Sequence, residues 1–126
     1  MGNVLLVEDQ YELRAIHTAY LQAHGFQVFT ADDGDSALTM ARTVHPDIIV
    51  LDQSLPRRTG VEVARELQSD PALSSIPIVM MTALAYGAIG PKARAAGCVG
   101  FLSKPCLPSR LLEEVRRFTT YGRAAR

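Results

Sequence analysis

"IIVLDQSLPRRTG", residues 48–60, joins an unbroken apolar run to a carboxylate, then to a loop bounded by proline and glycine. A run without polar alternation reads as a strand buried on both faces of a parallel sheet. Its last residue, Asp52, then stands at the strand's carboxyl end. Similar short runs lie on either side: NVLLV (3–7), FQVFTA (26–31), IPIVMMT (76–82) and, more weakly, VGFLS (99–103). Helical patterns separate them. Residues 10–24 carry Leu13, Ile16, His17, Tyr20 and Leu21 on one stripe and end at Gly25. Residues 34–45 repeat at Ala37, Leu38, Ala41 and Val44, with Asp33 or Asp35 as N-cap. Residues 60–69 repeat at Val61, Ala64 and Leu67, leaving Val63 off the stripe. Residues 108–118 open on Pro108 and repeat at Leu111, Leu112, Val115 and Phe118. Gly87, Gly90 and Pro91 break the remaining pattern, so the sequence predicts a loop over 83–90 and a helix from about Pro91 to Gly97. Strand and helix alternate five times, which implies an α/β fold: a parallel sheet with right-handed crossovers and helices on both faces.

Bulk properties fit one domain. The chain has 126 residues, 48 % hydrophobic and 21 % charged, and its 13 basic and 13 acidic side chains balance. That composition argues against disorder, and the neutral balance gives no footprint for nucleic acid or an anionic membrane. Cys98 and Cys106 form neither a disulfide framework nor a zinc pair and read as thiols in a reducing compartment. No signal-peptide pattern or membrane-length apolar stretch is present, so a cytoplasmic location is expected. His17, His24 and His45 lie on or beside helices and read as packing or solvent residues. The expected organisation is a domain over 1–120, a frayed tail from about Thr119 that takes in 121–126, and no output domain.

In open parallel sheets, ligands bind beyond the carboxyl ends of the strands. The first strand leads into Glu8 and Asp9, the third ends in Asp52, the fourth in Thr82, and the fifth leads into Lys104 and Pro105. Each residue alone has an ordinary structural use; together they are the polar complement of one site. Three carboxylates repel one another, and one should have a raised pKa. A divalent cation together with Lys104 would balance them, and hard oxygen donors without His or Cys favour Mg²⁺. Thr82 and Lys104 suit phosphate oxygens, and Asp52 suits a nucleophile that forms an acyl phosphate.

On these residues the chain resembles the response-regulator receiver domain, the phosphoacceptor of two-component signalling. The motifs ED, LDQSLPRRTG, MTA and SKP fall in the family's order over nearly the whole length. The resemblance implies a flavodoxin-like sheet of order 2-1-3-4-5 and a signalling switch in place of a conventional turnover enzyme. It implies that Asp52 accepts a phosphoryl group from a histidine kinase or histidine phosphotransfer protein. Mg²⁺, or Mn²⁺ in its place, would be held by Glu8, Asp9, Asp52 and the backbone carbonyl of Ser54. Thr82 and Lys104 would bind the phosphoryl group, and Thr82 with Phe101 would form the switch. The Lys104–Pro105 bond would be cis. The surface of the fourth helix, fifth strand and fifth helix would then meet a downstream protein or a second copy in a phosphorylation-linked dimer.

The chain departs from the family at several positions. Arg57 and Arg58 follow Pro56, where position 58 is usually apolar; they form either a solvated basic loop or a guanidinium leaning over the site. Ser54 and Leu84 occupy positions that tune phosphoryl lifetime. Cys106 stands where an aromatic often follows Lys-Pro. A competing reading is a receiver-shaped interaction module regulated without phosphorylation. A phosphatase using a strand-end Asp would need a second acid at Ser54, and a flavodoxin-like carrier would need a phosphate loop where Glu8 and Asp9 stand.

Overall fold

A computed structural model describes residues 2–121. Five parallel strands, β1 (Asn3–Val7), β2 (Gln27–Ala31), β3 (Ile48–Asp52), β4 (Ile78–Thr82) and β5 (Cys98–Ser103), form one sheet in the order 2-1-3-4-5. Helices α1 (Tyr11–Ala23), α2 (Gly34–Val44), α3 (Gly60–Ser69) and α4 (Tyr86–Ala95) make the four crossovers, and α5 (Pro108–Arg116) follows the last strand. Every residue of β3 and β4 is buried, as an apolar run without alternation demands, whereas β2 and β5 are the edges and each exposes residues. The sheet separates two apolar layers. Leu5, Ile49, Leu51 and Met80 face α2, α3 and α4; Val4, Leu6, Val50 and Met81 face α1 and α5.

Helix ends follow local chemistry. Asp33 caps α2, its carboxylate accepting from the Ser36 amide at 2.7 Å. Thr59 and Glu62 cap α3 reciprocally, which starts that helix immediately after the 53–59 loop. Val63, expected off the stripe, is fully buried; its methyl packs where a side chain at Gly34 would stand. On α1, Ile16 is 53 % exposed while His17 is buried, so the buried stripe centres on His17 and Leu21.

The fourth helix corrects the sequence reading. It begins at Tyr86, five residues ahead of Pro91, and contains both Gly90 and Pro91. Pro91 removes the amide that would bond the Gly87 carbonyl, and Gly87 itself is exposed. Gly90 is covered by the Tyr86 ring, one turn earlier. Arg117–Tyr121 wind into a π-helical turn, and the Thr119 hydroxyl donates to the Val115 carbonyl at 2.7 Å. The rest of the expected tail, 122–126, lies outside the described residues.

His17 carries a measurable cost. Its Nδ1 is buried with no hydrogen-bond partner among the described residues. Burial, and then the charge of Lys104, push its pKa below the ordinary value. A lowered folded-state pKa means stability that is present above the unfolded value, about 6.5, and lost as pH falls through the folded one. Thermal melts at pH 7.5 and 5.5 should show a smaller acid loss in His17→Leu than in the parent. Equal losses would place the acid sensitivity elsewhere.

Candidate functional site

The parallel register puts the polar strand ends on one edge. Residues Val7, Ala31 and Leu51 lie side by side at the ends of β1, β2 and β3, Asp52 pairs in register with Met81, and Thr82 with Ser103. Glu8, Asp9, Asp52, Thr82 and Lys104 therefore follow at the same level. Glu8 is 0 % and Asp52 1 % exposed. One carboxylate oxygen from each of Glu8, Asp9 and Asp52 lies within 4.8 Å of the others. Lys104 Nζ donates to Glu8 Oε1 at 3.0 Å and to Asp52 Oδ2 at 2.8 Å, bridging the two buried acids.

Glu8 has a raised pKa. Burial is the main cause and the Asp52 charge adds to it, against the lowering effects of the Lys104 and Gln10 hydrogen bonds. Burial works to lower the Lys104 pKa, but its bonds and charge interactions with Asp52 and Glu8 outweigh that and raise it. Lys104 is thus firmly protonated. With one ammonium among three carboxylates, the site holds a surplus of negative charge matched in sign and donor type to a hard divalent cation. An open cleft of about 370 Å³ leads to it, lined by Asp9, Leu13, Asp52, Ser54, Ala83 and Lys104.

Backbone contacts hold the acids in place. The Ser54 amide donates to Asp52 Oδ1 at 3.1 Å, and the Gln10 amide to Glu8 Oε2 at 3.2 Å. Arg14 Nη1 donates to the Glu8 carbonyl at 2.8 Å and fixes the turn into α1. Gln53 accepts from the Val61 amide at its side chain and from the Gly60 amide at its carbonyl, both at 2.9 Å. Sequence reasoning missed Arg14 and Gln53, whose parts depend on contacts that no spacing rule announces. A Cβ at Gly60 would stand 2.6 Å from the Asp52 carbonyl oxygen and 2.9 Å from Gln53 Cα. Backbone cannot yield as a flexible side chain can. Gly60→Ala should therefore cost about 1–3 kcal/mol in urea melts. A variant as stable as the parent would show that the loop yields freely.

Thr82 and Phe101 are placed differently. Thr82 is buried, and its Oγ1 accepts from the Leu84 amide at 2.9 Å. Phe101 is half-buried on the edge strand, against the core layer under α4 and apart from the acidic cluster. The Lys104–Pro105 bond is cis. Arg57 and Arg58 do not lean over the site. Arg57 donates to Asp33 at 2.8 Å, and Arg58 pairs with Asp35 at 3.0 Å and with Glu66. The acids at the start of α2 and on α3 draw both guanidinium groups away. The thiols are free, and burial pushes Cys98 up to about 12, which makes it inert.

A doubly wound sheet of order 2-1-3-4-5, with an acidic cluster and a lysine at the carboxyl ends of its strands, defines a class of signalling domain. The chain belongs to the response regulator receiver domain family, whose sequence profile matches residues 4–116. It is 32 % identical over 116 residues to the polar-differentiation response regulator DivK of Brucella ovis, covering 92 % of this chain and 94 % of that protein. Its structure resembles chemotaxis protein CheY4 of Vibrio cholerae with a TM-score of 0.89 at 32 % identity, over 94 % of this chain and 98 % of that one. It also resembles the signal receiver domain of a signal transduction histidine kinase from Syntrophus aciditrophicus, with a TM-score of 0.87 at 26 % identity over 96 % and 92 % of the two chains. The chain is accordingly a receiver domain of two-component signalling. Among the described residues no helix is long and apolar enough to cross a membrane.

Proposed function

We propose that Asp52 accepts a phosphoryl group from a phosphohistidine on a partner kinase or phosphotransfer protein. The observation that carries this reading is the Asp52 carboxylate itself, nearly fully buried at the end of the central strand, 2.8 Å from Lys104 and clustered with Glu8 and Asp9. Transfer requires in-line attack by one Asp52 oxygen on phosphorus. The O–P bond forms as the N–P bond breaks, and the bonding pair returns to the imidazole. Little covalent help is needed beyond positioning and charge neutralisation.

Asp9 and Asp52 are the side-chain ligands we assign to Mg²⁺, with the Ser54 carbonyl, and Glu8 acting through bound water. Three clustered carboxylates fit a hard cation. Once bound, the ion would screen the carboxylate from the incoming phosphate and neutralise phosphoryl charge. Lys104 then pairs with a phosphoryl oxygen, and the Thr82 hydroxyl leaves the Leu84 amide for another. That movement frees room for Phe101 and biases the face made by α4, β5 and α5 toward a downstream protein. To turn a mostly resting population into a mostly active one, phosphorylation must favour the active state by about 5 kcal/mol.

Incubation with Mg²⁺ and a small acyl phosphate, read by intact mass, tests the proposal. A gain of one phosphoryl group is expected, lost on chelation and absent in Asp52→Asn. No gain in the parent would favour an interaction module that works without phosphorylation.

A further inference from the structure

We propose that Tyr86 and Arg94 of α4 clasp Phe101 and act as positioning residues for phosphoryl uptake, holding the domain in its resting arrangement. The inference rests on the reading of Asp52 as phosphoacceptor and of Phe101 as switch. The clasp itself stands on four contacts. The Phe101 ring meets Tyr86 edge-to-face, with centroids 5.0 Å apart and planes at 87°. The Arg94 guanidinium lies 5.5 Å from the Phe101 centroid. Arg94 Nη2 and Nε both donate to the Tyr86 hydroxyl, at 2.8 and 3.2 Å. The Tyr86 ring lies on Gly90, where a Cβ would come within 2.5 Å of it.

These contacts give the unusual sequence of α4 a purpose. Gly90 costs helix stability but lets the tyrosine lie flat along the helix and reach β5. No Asp or Glu occurs from Pro71 to Leu112, so no carboxylate on α4 or β5 competes for Arg94, which turns to the phenol. Tyr86 is 50 % exposed and Arg94 exposed, which puts the clasp at the surface, on the outer side of Phe101. Thr82 Oγ1, meanwhile, accepts from the Leu84 amide. In this arrangement the threonine faces its own loop, and the aromatic ring sits half-buried between the core layer and the clasp. For Phe101 to turn inward, the edge-to-face and cation–π contacts must break. Phosphoryl uptake then works against the clasp, and loosening it raises the fraction of molecules ready to react.

Arg94→Gln removes the guanidinium, Tyr86→Phe removes only the hydroxyl, and Gly90→Ala displaces the Tyr86 ring while leaving both clasp side chains chemically unchanged. Each variant would be compared with the parent for phosphoryl uptake from a small acyl phosphate, for the Mg²⁺ dissociation constant, and for the Phe101 ring resonances without phosphate. Arg94→Gln and Gly90→Ala should speed uptake about three- to tenfold, and Tyr86→Phe less, as expected for losing one or two aromatic contacts. The Mg²⁺ constant should stay at the parent's value while the Phe101 resonances shift. A structural role alone would not move the rate at constant Mg²⁺ affinity. Parent-like rates in folded Arg94→Gln and Gly90→Ala would overturn the clasp and leave Asp52 as phosphoacceptor untouched. A parent that takes up no phosphoryl group would overturn the Asp52 reading and the clasp's role with it.

Discussion

Lys104→Met is expected to destabilise the domain by about 2–3 kcal/mol at pH 7.5 and far less at pH 4.5. Lys104 is the one side chain among the described residues that donates to both Glu8 and Asp52. Methionine keeps the length and the apolar stem but strands two buried carboxylates. Glu8 already has a raised pKa from burial, and the Lys104 bond is the first effect opposing it. Without that bond the Glu8 value climbs further. A carboxylate whose folded pKa lies above its unfolded value loses stability as pH rises through the folded value, and keeps it below about 4.5. The penalty in the variant should therefore open between those two limits. In the parent, the raised pKa of Lys104 keeps its own contribution intact until pH passes its unfolded value of about 10.5. Urea melts of both proteins at the two pH values decide the point. An equal loss at pH 4.5 and 7.5 would assign the effect to packing of the lysine stem and remove the electrostatic account.

The same charges explain how much of the site could be read from sequence. Asp52, Thr82 and the residues just after β1 and β5 were legible because an apolar run ending in a polar residue fixes both the strand and its end. A parallel sheet then brings such ends to one edge, whatever the side chains do. Residues 60–69 were legible as α3 because Gly60 and the apolar repeat agree. The start of α4 was not. Gly90 and Pro91 argue against a helix on propensity, and what opposes them is tertiary: α4 buries Ile89 and Ala93 in the core layer, and its Tyr86 ring reaches from Gly90 to Phe101. Ile16 and Val63 misled for a related reason. A stripe drawn on one helix gives the direction of burial but not its width, which the neighbouring elements set; α2 reaches Val63, while Ile16 is left 53 % exposed. Arg57 and Arg58 sit next to the chemistry in sequence and away from it in space. Their partners Asp33, Asp35 and Glu66 come from elements whose approach only the fold defines.

Asp52→Asn should reverse the stability order of two proteins when Mg²⁺ is added. Metal-free, the parent packs the Asp52 and Glu8 carboxylates beside a single ammonium, with Asp9 close by. Asparagine removes one charge from that cluster. Its oxygen can still accept from Lys104 or from the Ser54 amide, which now bond different oxygens of Asp52. Relief of like-charge repulsion in a buried site should leave the metal-free variant about 1 kcal/mol more stable than the parent. Mg²⁺ acts in the opposite direction. A ligand that binds only the folded state stabilises it by about 2.7 kcal/mol at one hundred times its dissociation constant. The parent gains that increment in full. The variant, lacking one of the two carboxylates we assign as direct ligands, gains little. The melting temperatures should therefore cross: variant above parent in chelator, parent above variant in saturating Mg²⁺. Only a cation held by Asp52 itself produces the crossing. If Mg²⁺ raised both proteins equally, the ion would be bound by Glu8 and Asp9 alone. The carboxylate at the end of "IIVLD" would then face the phosphoryl group without a cation of its own.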